Sequence, residues 1–252
     1  LDAVRRSQQP CAMVAVTTDK CYENREWVHS YREEDRLGGH DPYSSSKGAA
    51  EIVIAAYRRS FFSAADSCVR VASARAGNVI GGGDWAVDRI VPDCVRALER
   101  GAVIAVRNRT ANRPWQHVLE PLSGYLWLAA RLATAPAAAS AFTSAFNFGP
   151  ALASNRTVAD LVVELLKHWP GRWEEHSDAK AVHEARLLNL STDKAWHLLG
   201  WQPAWDFPAA VAQTMQWYRA YATQPAAVAD MTRAQIAAYT AEAAGKNITW
   251  SR

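Results

Sequence analysis

The sequence predicts an α/β protein: a doubly wound parallel sheet followed by a second, smaller α/β lobe. Three observations carry this. Two short apolar runs, residues 12–17 (AMVAVT) and 68–74 (CVRVASA), read as strands buried on both faces of a parallel sheet. Strand and helix patterns alternate along the chain, as they do in doubly wound folds. From about residue 79 the elements shorten and loops lengthen, which marks the smaller lobe.

In order, residues 1–9 read as the last turns of a helix, and 12–17 as the first strand. Residues 21–42 carry many charges together with Gly38, Gly39 and Pro42, so they form a long surface loop. A helix is expected from Pro42 to about Phe62, with Ala49, Ala50, Ile52, Val53, Ala56 and Tyr57 as its apolar positions. The second strand follows at 68–74. Four glycines between 76 and 86 require a loop. Helix at about 88–100, a short strand at 102–107 and a Leu- and Ala-rich helix at 116–134 come next. Phe146–Gly149 ends a strand, and Thr157 is placed to cap a helix over 158–168. Residues 187–191 resemble a short strand. Thr192 opens a helix that stops at Leu199–Gly200, where glycine suits a helix C-terminus. Helices over 207–222 and 231–244 complete the chain. The Ala-rich patches at 135–141 and 222–245 read as helix or loop filler.

Bulk properties narrow the function. The 252 residues suffice for one large α/β domain or one and a half smaller ones. Net charge is only +3, from 28 Lys and Arg against 25 Asp and Glu, and no run is polybasic. A nucleic-acid or membrane partner is therefore not expected. Cys11, Cys21, Cys68 and Cys94 form no CxxC pair and stand near no His at zinc-ligand spacing, so no metal site is expected. Apolar stretches fall far short of a membrane span. A soluble, cytoplasmic protein with free thiols is the expectation. The chain opens Leu1-Asp2-Ala3 without a methionine, and we expect a fragment of a longer protein.

In open α/β sheets ligands sit at the carboxyl ends of the strands. Thr18 follows the first strand, and Arg75 to Asn78 follow the second, so both segments are expected to line one cleft. Tyr43 and Lys47 lie four residues apart at a helix start, hence on one face. A free tyrosine ionises near pH ~10, and a nearby ammonium stabilises its phenolate. Such a pair can take a proton from a sugar hydroxyl. Alone, that spacing is more often an exposed helix pair; its neighbours give it weight.

Those neighbours are TTDKCYENREW (17–27), GGHDPYSSSKGAAE (38–51), RAGNVIGGGDW (75–85), DRIVPD (88–93), RPWQHVLEPLSGYL (113–126) and LSTDKAWHLLGWQP (190–203). Together they resemble the extended short-chain dehydrogenase/reductase superfamily, and within it the CDP-glucose 4,6-dehydratases, over nearly the whole chain. The resemblance implies a Rossmann-like sheet. Residues 1–78 would be the remaining part of an NAD-binding domain, and 79–252 mainly a nucleotide-sugar-binding lobe. It implies an enzyme that dehydrates CDP-glucose to CDP-4-dehydro-6-deoxyglucose, with NAD recycled, in deoxysugar or O-antigen type biosynthesis. A homodimer or higher homo-oligomer is implied as well.

Site residues follow by resemblance. Tyr43 would remove the 4-hydroxyl proton, Lys47 would hold the nicotinamide ribose, and Thr18 would bond the same hydroxyl. Asp19 would protonate the departing 6-hydroxyl. Lys20 stands where related dehydratases carry glutamate, and either removes the C5 proton or only stabilises the C4 enolate. Thr17, Ala76 and Asn78 would lie against the cofactor, and Asn78 would reach substrate too. Arg89 would contact the base region and Arg113 clamp the diphosphate, whose oxygens a guanidinium fork bonds in pairs. Trp85 either walls the sugar or covers the lobe interface. Asn147 and Glu184 are further substrate candidates, Glu184 standing where relatives often carry arginine. His117 reads as structural.

One family feature has no counterpart. The strand–GxxGxxG–helix unit that cradles the cofactor pyrophosphate is not matched, and Gly81-Gly82-Gly83 has the wrong spacing. Comparison with the family leads us to expect about a hundred preceding residues, with several strands of the sheet. The competing readings are a non-catalytic nucleotide-sugar-binding fragment and a sugar epimerase of the same superfamily. The Asp19–Lys20 pair argues against the epimerase.

Overall fold

The computed structural model describes residues 1–64, 67–134, 140–176 and 187–252. Its centre is a three-stranded parallel sheet. Helix α1 (Asp2–Ser7) leads into β1 (Cys11–Val16), which pairs with β2 (Val69–Arg75) from Cys11 opposite Val69 to Val16 opposite Ala74. Helix α2 (Pro42–Phe61) makes the crossover between them. Strand β3 (Val79–Ile80), helix α3 (Ile90–Glu99), strands β4 (Ile104–Val106), β5 (Asn112–Pro114) and β6 (Gln116–His117), and helix α4 (Leu119–Thr134) follow. Strand β7 (Ala145–Asn147) then returns to β2, giving the order β1-β2-β7. Past it come β8 (Asn155–Thr157), α5 (Val158–His168), β9 (Trp173–Glu175), α6 (Asp193–Leu199), α7 (Phe207–Thr223) and α8 (Val228–Gly245).

Side-chain alternation explains why the sheet is covered on both faces. On β1 and β2, Ala12, Val14, Ala72 and Ala74 face α4, where they meet Leu128, Leu132, Phe146, Phe148 and Trp201. Cys11, Met13, Ala15, Val69 and Val71 point the other way, onto Ile54 of α2. Small alanines on the α4 side let that helix come close, and they leave room for the aromatic rings. A second core fills the space between α3, α5 and α7, from Val91, Val95 and Leu98 to Leu161, Leu165, Val211 and Met215. Two-stranded pairings surround it: β3 with β6 and β4 with β9, both parallel, and β5 with β8, antiparallel.

The element types hold with a few corrections. Residues 21–42 are no plain surface loop, since Cys21, Tyr22 and Tyr31 are buried with Leu188 and Leu190. Residues 76–86 are not all loop, because Val79 and Ile80 pair with Gln116 and His117; the same pairing delays α4 to Leu119. Residues 187–191 form no strand, only a single bridge from Leu190 to Tyr31. Thr157 caps α5 in a reciprocal capping box with Asp160, as its position suggested. Thr192 makes no side-chain cap on α6, although Gly200 ends that helix in the left-handed region at φ 60°. The last helix begins three residues earlier than its periodicity indicates. Gly82 is small for packing reasons, since a Cβ there would stand 2.0 Å from the Trp217 ring. Among the described residues no helix is long and apolar enough to cross a membrane.

Candidate active site

The segment after β1 turns at once into a short 3-10 turn, Asp19–Cys21. Thr18 caps it, its hydroxyl accepting from the Lys20 amide at 3.3 Å and donating to Asp19 Oδ1 at 2.8 Å. The Asp19 amide bonds the Ala76 carbonyl at 3.1 Å, which ties the end of β1 to the segment after β2. Asp19 is 4% exposed. Its carboxyl lies against the backbone of Gly77, where an added Cβ would meet Oδ2 at 2.1 Å. Glycine at 77 is therefore what lets the acid sit there. Burial raises the Asp19 carboxyl above the usual carboxylate range; the Thr18 hydroxyl, the Lys20 ammonium and the Arg113 guanidinium only partly oppose it. A carboxyl raised by burial in a strand-end crevice is placed to act as an acid.

Helix α2 starts beside this turn. Asp41 is its N-cap, accepting from the Ser44 amide at 2.9 Å and the Ser44 hydroxyl at 2.6 Å, with Pro42 in the first turn. Those bonds hold the Asp41 carboxyl below its ordinary value. Tyr43 is exposed and Lys47 half-buried, and the Lys47 ammonium stands 5.3 Å from the Tyr43 ring centroid. Gly48 allows close approach of the helix: a Cβ there would come 3.3 Å from the Cys21 carbonyl oxygen.

Two clefts flank the strand ends. One of about 620 Å³ is lined by Lys20, Asn24, Arg25, His40, Asp41 and Ser44, among others. The other, about 830 Å³, is lined by Asn78, Asp84, Asp88, Arg89, Arg107 and Arg113, with Trp115 and Val158 among its apolar walls. Asn78 and Asp88 hold left-handed backbone at φ 25° and 63°, which Asn and Asp tolerate better than other side chains. In this second cleft arginines and aspartates alternate: Arg89 lies 3.9 Å from Asp84, and Arg107 lies 2.7 Å from Asp88 and 3.8 Å from Asp93. Arg113 faces the cleft from β5, and its field also reaches Asp19. The arginine cleft and the strand-end acid are thus electrically connected.

Residues 1–214 match the model of the GDP-mannose 4,6 dehydratase family. The chain belongs to the GDP-mannose 4,6 dehydratase family. It is 44% identical over 230 residues to a CDP-glucose 4,6-dehydratase of Salmonella typhimurium, covering 88% of this chain and 62% of that protein's length. A dTDP-glucose 4,6-dehydratase from Bacillus anthracis, solved with NAD, superposes with a TM-score of 0.69 at 19% identity, over 88% of this chain and 66% of that one. A dTDP-glucose 4,6-dehydratase from Streptomyces venezuelae, also solved with NAD, gives 0.65 at 25% identity, over 82% and 59%.

Within this dehydratase-family chain the expected residues divide. Thr18, Asp19 and Lys20 stand together in one turn beside the helix that starts with Tyr43 and Lys47, and Ala76 is bonded to Asp19. Asn78, Arg89 and Arg113 share the larger cleft. Trp85 does not line it; its ring packs against Tyr218 and Tyr221, at 5.2 Å from each, so it covers the lobe. Asn147 corrects a second expectation: it is fully buried, accepting from the Tyr22 hydroxyl at 2.8 Å and donating to the Tyr31 carbonyl at 2.9 Å, and its side chain has nothing to offer a nucleotide. Arg75 does not line the cleft either, being 3% exposed and paired with Glu51. Thr17 spends its hydroxyl on Glu51. His117 is structural: burial pushes it down to about 4, and its Nδ1 accepts from the Leu119 amide at 3.3 Å. Glu184 lies outside the described residues.

Sequence reading overlooked Glu51 and Gln116. Glu51 had a signal, since it continues the Tyr43–Lys47 series by four more residues. Gln116 had none: its amide donates to the Gly77 and Phe148 carbonyls at 3.0 and 3.2 Å, contacts across 39 and 32 residues of chain.

Proposed function

We propose that this chain carries the chemical centre of a CDP-glucose 4,6-dehydratase. The 44% identical relative bears that name, and the NAD-bound structures share the fold. The observation that carries the reading is Asp19: an acid raised by burial, seated against Gly77, one residue from Lys20, beside the helix of Tyr43 and Lys47.

NAD, when bound, would accept and later return the two electrons exchanged at the sugar. The reactive half of that cofactor fits the residues present. The exposed Tyr43 with an ammonium 5.3 Å from its ring is a donor pair for a nicotinamide ribose, and Ala76 and Asn78 border the same strand ends. No GxxGxxG motif for the diphosphate half occurs among these 252 residues.

The chain's own residues then have the following tasks. Tyr43 takes the C4 hydroxyl proton, assisted by the Lys47 charge. Oxidation at C4 acidifies the hydrogen at C5. Lys20 in its neutral amine form receives that proton, or in its ammonium form stabilises the enolate charge while the proton passes to water. Asp19 gives its proton to the leaving C6 hydroxyl, and water departs. Thr18 orients the acid through its 2.8 Å bond. Arg113 and Arg89 bind the diphosphate and base side, in line with a residue 1–78 part for chemistry and a residue 79–252 part for the nucleotide sugar. A cytoplasmic homo-oligomer acting in deoxysugar synthesis is part of the same reading.

The competing reading is a chain that binds nucleotide sugars without turning them over. Incubating the chain with NAD and, in turn, CDP-, dTDP-, UDP- and GDP-glucose separates the two. Formation of the 4-keto-6-deoxy product from CDP-glucose, lost in Tyr43→Phe, is expected. Binding of CDP-glucose without product would replace the enzyme by the binding protein, and undiminished product from Tyr43→Phe would remove the mechanism.

A further inference from the structure

The pleat of β1 and β2 sorts side chains between α2 and α4. On the α2 face the apolar residues run out at Ala15 and Val71. One step further along the strands stand Thr17, Ser73 and Arg75, and α2 presents Glu51 opposite them. Thr17 Oγ1 donates to Glu51 Oε1, Ser73 Oγ to Oε2 at 2.8 Å, and Arg75 Nη2 to Oε2 at 2.9 Å. Glu51 and Arg75 are 1% and 3% exposed. Arg75 Nη1 reaches on to the Tyr22 hydroxyl at 2.7 Å and the Glu33 carbonyl at 3.0 Å.

A buried ion pair is an expensive way to glue a helix to a sheet, since apolar side chains of similar volume do that as well or better. Its bonds do something apolar contacts do not: they arrive from fixed directions. Glu51 is the third member of the series Tyr43, Lys47, Glu51, each one helical turn from the last. Thr17 immediately precedes Thr18 and Asp19, and Arg75 immediately precedes Ala76 and Gly77. One carboxylate therefore bonds the helix of the base, the strand leading to the acid, and the strand leading to the glycine that accommodates the acid.

We infer that Glu51 is a positioning residue: through Thr17, Ser73 and Arg75 it sets the register of the Tyr43–Lys47 helix against the Thr18–Asp19 strand end. The placement stands on the bonds themselves; its effect on rate rests on the dehydratase reading. Thr17 acts through this clamp, because its hydroxyl is already committed to Glu51.

Glu51→Gln leaves Arg75 buried without its counter-charge, so the neutral donors give the cleaner test. In the full chain, Thr17→Val, Ser73→Ala and Thr17→Ser are compared by side-chain NMR of Tyr43 and Lys47, with signals assigned through Tyr43→Phe and Lys47→Arg. Thr17→Val and Ser73→Ala are expected to move both sets of signals with the fold retained, and Thr17→Ser, which keeps the hydroxyl, to restore them. In turnover the first two variants lower kcat by about 10–100-fold, as displacements of up to an ångström do, while KM stays within about twofold; Thr17→Ser recovers the rate. Unmoved Tyr43 and Lys47 signals in folded Thr17→Val and Ser73→Ala, or a loss confined to KM, would overturn the inference. If the unsubstituted chain turns nothing over, the dehydratase reading fails and the NMR comparison alone decides the clamp.

Discussion

The strand-end centre and the arginine cleft are adjacent, yet built in opposite ways. Around Asp19 and Glu51 the polar contacts are buried or half-buried and gathered at the strand ends: Thr18 to Asp19, Asp19 to Ala76, Thr17, Ser73 and Arg75 to Glu51. Around Arg89 and Arg107 the ion pairs are exposed, with both side chains of the Arg107–Asp88 pair more than 60% accessible. Exposed pairs of that kind hold little energy and rearrange readily. On the proposed function, the difference teaches how the chemical centre and the nucleotide side would be held. The first region is held by the same alternation that makes the sheet, so its geometry comes with the fold. The second is a solvent-exposed charged surface whose weak ion pairs a ligand can replace.

The sharpest way to break this comparison is Asp19→Asn. The amide keeps the shape but cannot supply the proton. Dehydration should fall about 10³-fold, the scale of a lost general acid. Thermal stability should hold or rise, since no carboxyl remains to be desolvated. A turnover drop accompanied by a large fall in Tm would instead make Asp19 a structural residue.

Glu120 is the control, a buried carboxyl with no chemistry assigned. It accepts from the Ala204 and Trp205 amides at 3.0 and 2.7 Å and from the Tyr239 hydroxyl at 2.8 Å, and burial still pushes it up to about 7. A raised carboxyl binds its proton more tightly folded than unfolded. Its contribution is fully present below the unfolded value near 4.5 and is lost as pH rises through about 7. Stability should therefore decline on the order of 3 kcal/mol across that window, and Glu120→Gln should flatten the decline. An unchanged slope in that variant would assign it elsewhere. Next in size, Gly77→Ala places a methyl 2.1 Å from Asp19 Oδ2. Overpacking of this kind costs about 1–3 kcal/mol. Chemical denaturation measures it, and a cost near zero would show that the acid can move.

Legibility in the sequence follows the same division. Short apolar runs and a helical pattern exposed β1, β2 and α2, because both signals are local, and the resemblance to a known family marked the turn after β1. Asn147 was misjudged for the opposite reason: its partners, Tyr22 and Tyr31, lie more than a hundred residues away. Nothing local says that an Asn at a strand end is already satisfied. Trp85 was left open on the same ground, since the rings it meets belong to α7. Val79–Ile80 escaped notice because a two-residue strand has no period at all.

The smallest expected effects discriminate within the cleft itself. Arg113 faces it from a paired strand, and its charge is felt at Asp19; Arg89 sits on an exposed loop with one 3.9 Å ion pair. If Arg113 grips a diphosphate with both arms of its fork, Lys cannot replace it, because an ammonium is a point charge without that fork. Arg113→Lys should weaken binding of the nucleotide diphosphate about 10-fold, the value of one charge-assisted bond, and leave kcat nearly unchanged. Arg89→Lys keeps the charge at a site where geometry is loose, so its effect should stay within about twofold. Titration calorimetry with CDP and the two variants reads both. Equal losses would mean that the cleft senses only charge, and that the contrast drawn between a directed centre and a pliable surface extends into the surface itself.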